Sequence, residues 1–344
     1  MKVTLKTIAQ EAGLSITTVS RALAGYDDVN EATRQRVIAI AKRLGYQPNL
    51  AARHLRSKQT HTIGMVIPLT SYYSDPFFME LLSGVGRQAA EYGYDLLLSA
   101  QQPGEEELIA YRRMVASSRI DGVIVARVWK DDPRIAFLRE VQHPFVAFGR
   151  SNDGNYPHID VDGLSGMLQL MRHLVERGHR RIALILSPAN LVFTAVRYQG
   201  YVQGLAEAGL PLRQDYLVEA DLSQEGGCAA AQHLLALPDP PTAIVACNDT
   251  MAIGALEAAR ARGLKVGRDI AVAGFDDIPL AAYTDPPLTT VRQPIYEIGR
   301  RALDMLIRVI RREPLQEPHV LITPELIVRQ STGGASPAGG QVRV

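Results

Sequence analysis

Apolar residues recur at helical spacing from the first residues of the chain. Leu5, Ile8, Ala9 and Ala12 fall at i, i+3, i+4 and i+7, the mark of a short amphipathic helix. Gly13 ends it, and Ser15 offers an N-cap hydroxyl to a second helix through Val19, Ala22 and Leu23, which Gly25 stops. A third helix begins near Asn30 and Glu31, carries Val37, Ile40, Ala41 and Leu44 on one face, and closes at Gly45. Three short helices with glycine in the first turn describe a helix-turn-helix. Tyr46-Gln47-Pro48 then breaks the pattern. Asn49 can cap a short helix over 49–57, which is too short to be stable alone in water.

From Thr62 the period changes. Short β-branched runs (Ile63–Pro68, Asp95–Ala100, Gly122–Ala126, Phe145–Phe148) alternate with helical stretches at Pro76–Tyr92 and Glu106–Ser118. A second alternation follows. Its strands are Ile182–Ser187, Tyr216–Ala220, Ala243–Cys247 and Ile270–Gly274, and its helices are Leu164–Arg177, Arg197–Gly209, Gly226–Ala236 and Met251–Gly263. Such alternation predicts parallel sheets with helices on both faces, and two of them predict a two-lobed α/β body. A ligand site belongs in the cleft, at the carboxyl ends of the strands. The fold class is therefore multi-domain: an all-α helix-turn-helix head on a body of two doubly wound sheets.

Charge adds a function to this outline. The chain carries a net charge of only +1, yet residues 1–60 hold ten basic and four acidic side chains. A basic head on a mildly acidic body suits a polyanionic partner. A helix-turn-helix sets its second helix in the DNA major groove, N-terminal end first. Here that end presents Ser15, Ile16, Thr17 and Thr18, with Ser20 and Arg21 one turn on. Arg21 suits a guanine edge or a phosphate. In the hinge, Leu55 is flanked by Arg53, Arg56 and Lys58. It fits either a minor-groove wedge or a tether packed on the body, and spacing alone does not choose.

These motifs resemble the lactose repressor/galactose repressor family. The head carries Thr4-Leu5-Lys6-Thr7-Ile8-Ala9, Gly13-Leu14-Ser15-x-x-Thr18-Val19-Ser20-Arg21-Ala22-Leu23 and Gly45-Tyr46-x-Pro48-Asn49-x-x-Ala52-Arg53-x-Leu55. The body carries Asp75-Pro76-Phe77-Phe78, Arg197-x-x-Gly200-Tyr201, Cys247-Asn248-Asp249, Gly274-Phe275-Asp276-Asp277 and Pro287-Leu288-Thr289-Thr290-Val291-x-Gln293. The resemblance implies a homodimer on a pseudopalindromic double-stranded operator, with Ile16, Thr17 and Arg21 facing bases. It also implies Leu55 and its mate inserted at a central step, and Thr4, Asn30, Tyr46, Asn49, Ala52, Arg53 and Arg56 within the DNA-contacting set. Arg197, Asn248 and Asp276 match effector-binding positions. Asp75, Phe77 and Arg150 match weaker positions on the other lobe, and Leu222 and Gln293 complete the set. Leu222 stands where some family sugar sensors carry an aromatic, which puts ring stacking on that side in doubt. Asp75 and Asp276 balance Arg150 and Arg197, which favours a neutral, polyol-type ligand. Gly122–Arg127, Asp131–Arg134, Gly149-Arg150 and Asp160–Asp162 resemble members associated with α-glucosides and related sugars.

The implied boundaries are a DNA-binding domain at 1–45, a hinge at 46–61 and an effector-binding and dimerisation domain at 62–330. Its first lobe spans 62–161 and 291–323, its second 162–290 and 324–330, and a flexible tail spans 331–344. That tail lacks a leucine heptad, so a dimer is expected rather than a tetramer. Asp249 is expected to cap the helix from Met251, Phe78 to be core, and His173 and His179 to lie at a surface or helix end. Cys228 and Cys247 lack metal-site spacing and read as reduced thiols. No cofactor or metal is expected. No membrane-length apolar run or apolar signal segment is seen, so a cytoplasmic, nucleoid-associated protein is expected. A sugar-binding transport protein would share the body but not the head. An enzyme would need a motif such as G-x-S-x-G, a Walker loop or H-E-x-x-H, none of which occurs. Gly84-x-Gly86 lacks the third glycine of a dinucleotide loop. Within the regulator class, a purine or other non-sugar effector is the alternative.

Overall fold

The computed structural model describes residues 3–23, 25–46, 59–69, 76–151 and 154–333. The chain divides into two compact units, Met1–Thr60 and His61–Val344. The hinge positions Asn49, Ala52, Arg53, Leu55 and Arg56, and Asp75 of the body, lie outside the described residues.

In the first unit, α1 (Leu5–Ala12), α2 (Ile16–Leu23) and α3 (Glu31–Arg43) enclose Ile8, Val19 and Val37, all fully buried. Local chemistry fixes each end. Thr4 and Thr7 cap one another at the start of α1, and Gly13 follows at φ 65°. The Ser15 hydroxyl accepts the Thr18 N–H (3.0 Å), and the Asn30 side chain accepts the Thr33 N–H (3.1 Å). A three-helix head of this size needs such caps, because its core is small.

The second unit holds two six-stranded sheets. The first contains β1 (Thr62–Pro68), β2 (Asp95–Gln101), β3 (Gly122–Ala126), β4 (Phe145–Phe148), β5 (His158–Val161) and β11 (His319–Ile322). Their order is β11-β5-β4-β3-β1-β2, all parallel. The second contains β6 (Ile182–Leu186), β7 (Leu217–Glu219), β8 (Ala243–Ala246), β9 (Ala271–Asp276), β10 (Thr289–Arg292) and β12 (Glu325–Ile327). Their order is β12-β10-β9-β8-β6-β7, with only β12 antiparallel. Strands β3, β4, β8 and β9 are buried throughout, as strands covered on both faces must be.

The helices are α4 (Pro76–Tyr92), α5 (Glu105–Ala116), α6 (Pro133–Glu140), α7 (Gly163–Glu176), α8 (Val192–Glu207), α9 (Gln224–Leu235), α10 (Asp249–Ala261) and α11 (Ile295–Arg311). The chain passes between lobes at three places: β5 into α7, β10 into α11, and β11 into β12. Helix α11 thus follows a strand of the second sheet but packs against α4 of the first lobe. Gly84-x-Gly86 falls within α4, where Gly84 serves this packing.

The chain stays anchored beyond residue 330, where the sequence suggests a flexible tail. Ser331 and Thr332 are buried. The Ser331 hydroxyl accepts the Thr289 N–H (2.8 Å) and donates to the Val272 carbonyl (2.6 Å). Thr332 bonds His173 at 2.9 Å, and Arg177 donates to the Gly333 carbonyl. Small hydroxyl residues here supply partners to main-chain groups of β9 and β10, a role composition does not reveal. Among the described residues, no helix is long and apolar enough to cross a membrane.

Candidate effector cleft and DNA-reading helix

A cavity of about 770 Å³, including its open mouth, lies between the two lobes. It is walled by the carboxyl ends of β3, β4 and β5 on one side and of β8 and β9 on the other. Of the sequence-predicted positions, Phe77, Arg150, Arg197, Leu222, Asn248, Asp276 and Gln293 all line it.

Arg197 organises the second-lobe wall. Tyr201, one turn on, donates to the Ile182 carbonyl (2.7 Å) and pins α8 to the start of β6. The Arg197 guanidinium lies between two rings, 4.6 Å from the Phe193 centroid and 3.8 Å from that of Phe275. It donates to the Cys247 carbonyl and stands 3.7 Å from Asp276 Oδ1. Its Nε–H is buried and has no hydrogen-bond partner among the described residues. Burial pulls its pKa below the usual arginine value, and the Asp276 carboxylate opposes that shift.

The neighbours of Arg197 are held by the fold. Asn248 accepts the Met251 N–H (2.9 Å) and donates to the Leu222 carbonyl (3.1 Å), so it is the true cap of α10. Asp249 does not cap. It is drawn inside, where it accepts the Ile278 N–H (2.9 Å) and the Thr290 hydroxyl (2.5 Å), and burial pushes its carboxyl up to about 7. That position excludes a side chain at Gly274, whose Cβ would meet Asp249 Oδ1 at 2.2 Å. Gln293 donates to Asp276 Oδ1 (2.5 Å). Leu222 sits at φ 72°, which turns its carbonyl toward Asn248.

On the first-lobe wall, Phe77 stacks on Phe148 at 5.7 Å with planes 14° apart, while Phe78 is buried in the core. Arg150 Nε pairs with Asp160 Oδ2 at 3.1 Å. Asp160 was not among the predicted site residues, nor were Arg127, Phe148 and Phe193, and all four line the cavity. Burial pushes the Asp160 carboxyl up to about 6, against the pull of the Arg150 and Arg197 cations. Arg127 and Asp160 add one charge of each sign, so they leave the charge balance read from the sequence unchanged. Phe193 supplies the aromatic on the second-lobe side that Leu222 lacks. Two aromatic walls and a ring of hydrogen-bonding forks suit a hydroxylated, ring-shaped ligand. Among the described residues no group of His, Cys, Asp and Glu could hold a metal ion.

In the head, Ser15, Ile16 and Thr17 are exposed at the start of α2, with Ile16 at 48%. Thr18 and Ser20 are half-buried. Arg21 is exposed and pairs with Asp28 at 2.7 Å. Thr4 and Asn30 act as caps, and Tyr46 packs against the head's core.

Residues 4–49 match the model of bacterial regulatory proteins of the lacI family, and residues 171–332 match a periplasmic binding protein-like domain. The chain is 39% identical to the transcriptional regulator AglR of Rhizobium meliloti over 341 residues, 97% of this chain and 96% of that protein. The structure of the lac repressor dimer bound to operator and an anti-inducer superposes with a TM-score of 0.86 at 28% identity, covering 96% of this chain and 99% of that one. That of a CelR–cellobiose complex superposes at 0.74 with 33% identity, covering 96% and 100%. With this head, this body and relatives matched along nearly their whole length, the chain belongs to the lacI family of DNA-binding transcriptional regulators.

Proposed function

We propose that the protein is a sugar-responsive repressor, which binds a pseudopalindromic operator as a homodimer and is switched by a neutral sugar in the inter-lobe cleft. The observation that carries this reading is Arg197: a buried guanidinium between two rings, with one N–H free of partners at a cavity wall. A buried donor left unsatisfied costs about 1–3 kcal/mol, which a hydroxylated ligand would recover. The facing Arg150–Asp160 pair, with Asn248, Asp276 and Gln293, provides further forks for hydroxyls. The similarity to a structure solved with cellobiose supports a glucose-containing saccharide, in line with the α-glucoside resemblance of the sequence.

In this reading α2 enters the major groove, with Ile16, Thr17 and Arg21 at base edges and Ser15, Thr18 and Ser20 beside them. Thr4, Asn30, Tyr46, Asn49, Ala52, Arg53 and Arg56 hold the backbone, and Leu55 is the minor-groove wedge. Effector closes the cleft, shifts the two first lobes of the dimer and unseats the short hinge helices. A coupling of about 1–3 kcal/mol changes operator affinity roughly 5–150-fold. The protein acts in the cytoplasm, where the chromosome is.

Fluorescence anisotropy on a palindromic, CpG-centred DNA tests the reading, with and without maltose, trehalose, sucrose and cellobiose. Loss of specific binding on adding one sugar is the expected result. Specific binding indifferent to every sugar, with a response to purine nucleosides instead, would replace the sugar by a nucleobase ligand. Absence of specific binding after selection from random DNA would overturn the operator reading.

A further inference from the structure

Three covalent crossings join the lobes, and all leave from β5, β11 or β10. A fourth connection, which is not covalent, leaves from the end of β3. Trp129 of the first lobe forms an antiparallel bridge with Leu191 of the second. On either side of it the Val192 N–H donates to the Val128 carbonyl (3.1 Å), and the Lys130 N–H to the Asn190 carbonyl (3.0 Å). The side chains are exchanged as well. Trp129 packs against the hydrophobic core of the second lobe, and Val192 against a core cluster of the first.

The first-lobe half of this contact is rigid. The Trp129 N–H is held by Asp132 Oδ2 (3.0 Å), and the guanidinium of Arg134 lies 4.5 Å from the indole centroid. Arg134 is only 2% exposed. It donates to both oxygens of Asp132 (2.9 and 2.7 Å), to Glu107 and to the Arg127 carbonyl (2.8 Å). A buried cation with this many fixed acceptors cannot move without leaving charges unpaired, so the loop from Arg127 to Asp132 behaves as one body. The second-lobe half is the start of α8. Leu191, the residue before it, offers no side-chain cap, and the first N–H of the helix is satisfied by the opposite lobe. The contact borders the cavity, since Arg127, Val128 and Val192 all line it.

We propose that Val128–Lys130 and Asn190–Val192 form a clasp that sets how much of the protein has its cleft closed before any effector arrives. The clasp is reversible where the three crossings are not. It consists of two main-chain hydrogen bonds and two swapped apolar side chains, each of which can return to water or to its own lobe. One such hydrogen bond shifts an opening equilibrium about fivefold. A binding-competent state that is only partly populated weakens ligand affinity by that same fraction. The clasp therefore tunes effector sensitivity, with Arg134 as its positioning residue.

One substitution removes a clasp hydrogen bond and spares the helix. Val192 is the first residue of α8, a position that suits proline because its N–H has no partner within the helix. Leu191 already has φ −79° and ψ 133°, a conformation that a residue before proline adopts. Val192→Ala trims the side chain and keeps the N–H, which makes it the control. Trp129 is the chain's only tryptophan, so its fluorescence reports on the clasp alone. In the full-length, ligand-free protein, acrylamide quenching of Trp129 should rise about twofold or more in Val192→Pro and clearly less in Val192→Ala, as the open fraction grows with loss of the hydrogen bond. Equal quenching in Val192→Pro, Val192→Ala and the parent would overturn the clasp. If Val192→Pro does not fold, hydrogen exchange on the parent protein decides. One opening exposes both donors, so the Lys130 and Val192 amides should show equal protection, and unequal protection overturns the proposal. Neither readout uses an effector, so the result stands apart from the identity of the ligand.

Discussion

The guanidinium of Arg197 lies 3.8 Å from the ring centroid of Phe275, which couples helix α8 to the residue before Asp276 on β9. Both cleft-lining charges of the second lobe are therefore placed by one aromatic ring. Arg197→Ala should abolish the effector response while operator affinity stays near that of the parent, measured by anisotropy with and without the inducing sugar. It should also lower stability, because the buried Asp276 carboxylate would lose the cation that stands 3.7 Å from it. Arg197→Lys keeps the charge and loses the planar stack and fork, so its response should be weakened rather than restored. A normal response in Arg197→Ala would remove this residue from the site.

The Asp160 carboxyl gives the cleft a pH dependence. Burial raises it to about 6 from an ordinary value of 3.8. Between those values the folded chain keeps a proton that the unfolded chain has lost, so the stability contributed by Asp160 is present below about pH 4. It is lost as pH rises through about 6. Asp160→Asn should flatten the decline between pH 4 and 6.5. At pH 7.5 it should be more stable than the parent by roughly 1–3 kcal/mol in urea unfolding. An unchanged pH profile in the variant would show that Arg150 compensates the carboxylate in full.

Much of this architecture was legible in the sequence, and what was not shares a physical cause. The head could be read almost to the residue because its caps are local: Thr4, Gly13, Ser15 and Asn30 each act within four residues of themselves. Helix α8 could not. The sequence suggests a start at Arg197, whereas the helix begins at Val192. Its first N–H is satisfied by Val128 across the cleft, a partner distant in sequence, so no capping residue marks the start. That difference of one turn hid Phe193, although Phe193, Arg197 and Tyr201 already stood at helical spacing. Helix α11 is a second case. Ile295, Ile298, Ala302, Leu303 and Leu306 are regularly spaced, but nothing local tells which lobe they cover, and the sequence reading assigned no element there. Asp160 and Arg127 stand out in the sequence only within stretches that resemble α-glucoside-associated family members, and only the meeting of the two lobes makes them part of a site.

Gly84 and Gly86 on α4 should respond oppositely to the same substitution. A Cβ at Gly84 would stand 2.0 Å from the Tyr296 carbonyl oxygen, and one at Gly299 on α11 would stand 2.4 Å from that of Leu81. The two helices thus touch backbone to backbone, and Gly84→Ala must pry them apart. Thermal unfolding should show a loss of about 2–4 kcal/mol. At Gly86 the nearest atom to an added Cβ is Leu96 Cδ1 at 3.7 Å, an ordinary contact. Gly86→Ala should therefore be neutral or gain up to about 1 kcal/mol from reduced chain entropy in the unfolded state. Equal losses at both positions would contradict the helix crossing.

Arg21 is not poised alone on the reading helix. Its Nη1 is held by Asp28 at 2.7 Å, with both side chains about half exposed. An exposed pair of this kind adds little stability, so breaking it should leave the head folded. In the proposed docking, DNA must compete with Asp28 for the guanidinium, and the carboxylate adds a negative charge beside the reading helix. Two substitutions separate these effects. Arg21→Ala should weaken operator binding by about 1–3 kcal/mol, roughly 5- to 150-fold, with a smaller loss on random DNA if the side chain reads a base. Asp28→Asn should instead strengthen binding to both DNAs, more so at low salt, because it removes a negative charge from the approach and releases Arg21. Anisotropy titrations over 50–200 mM salt check both. Equal losses on operator and random DNA in Arg21→Ala would make Arg21 a phosphate contact and leave base readout to Ile16 and Thr17.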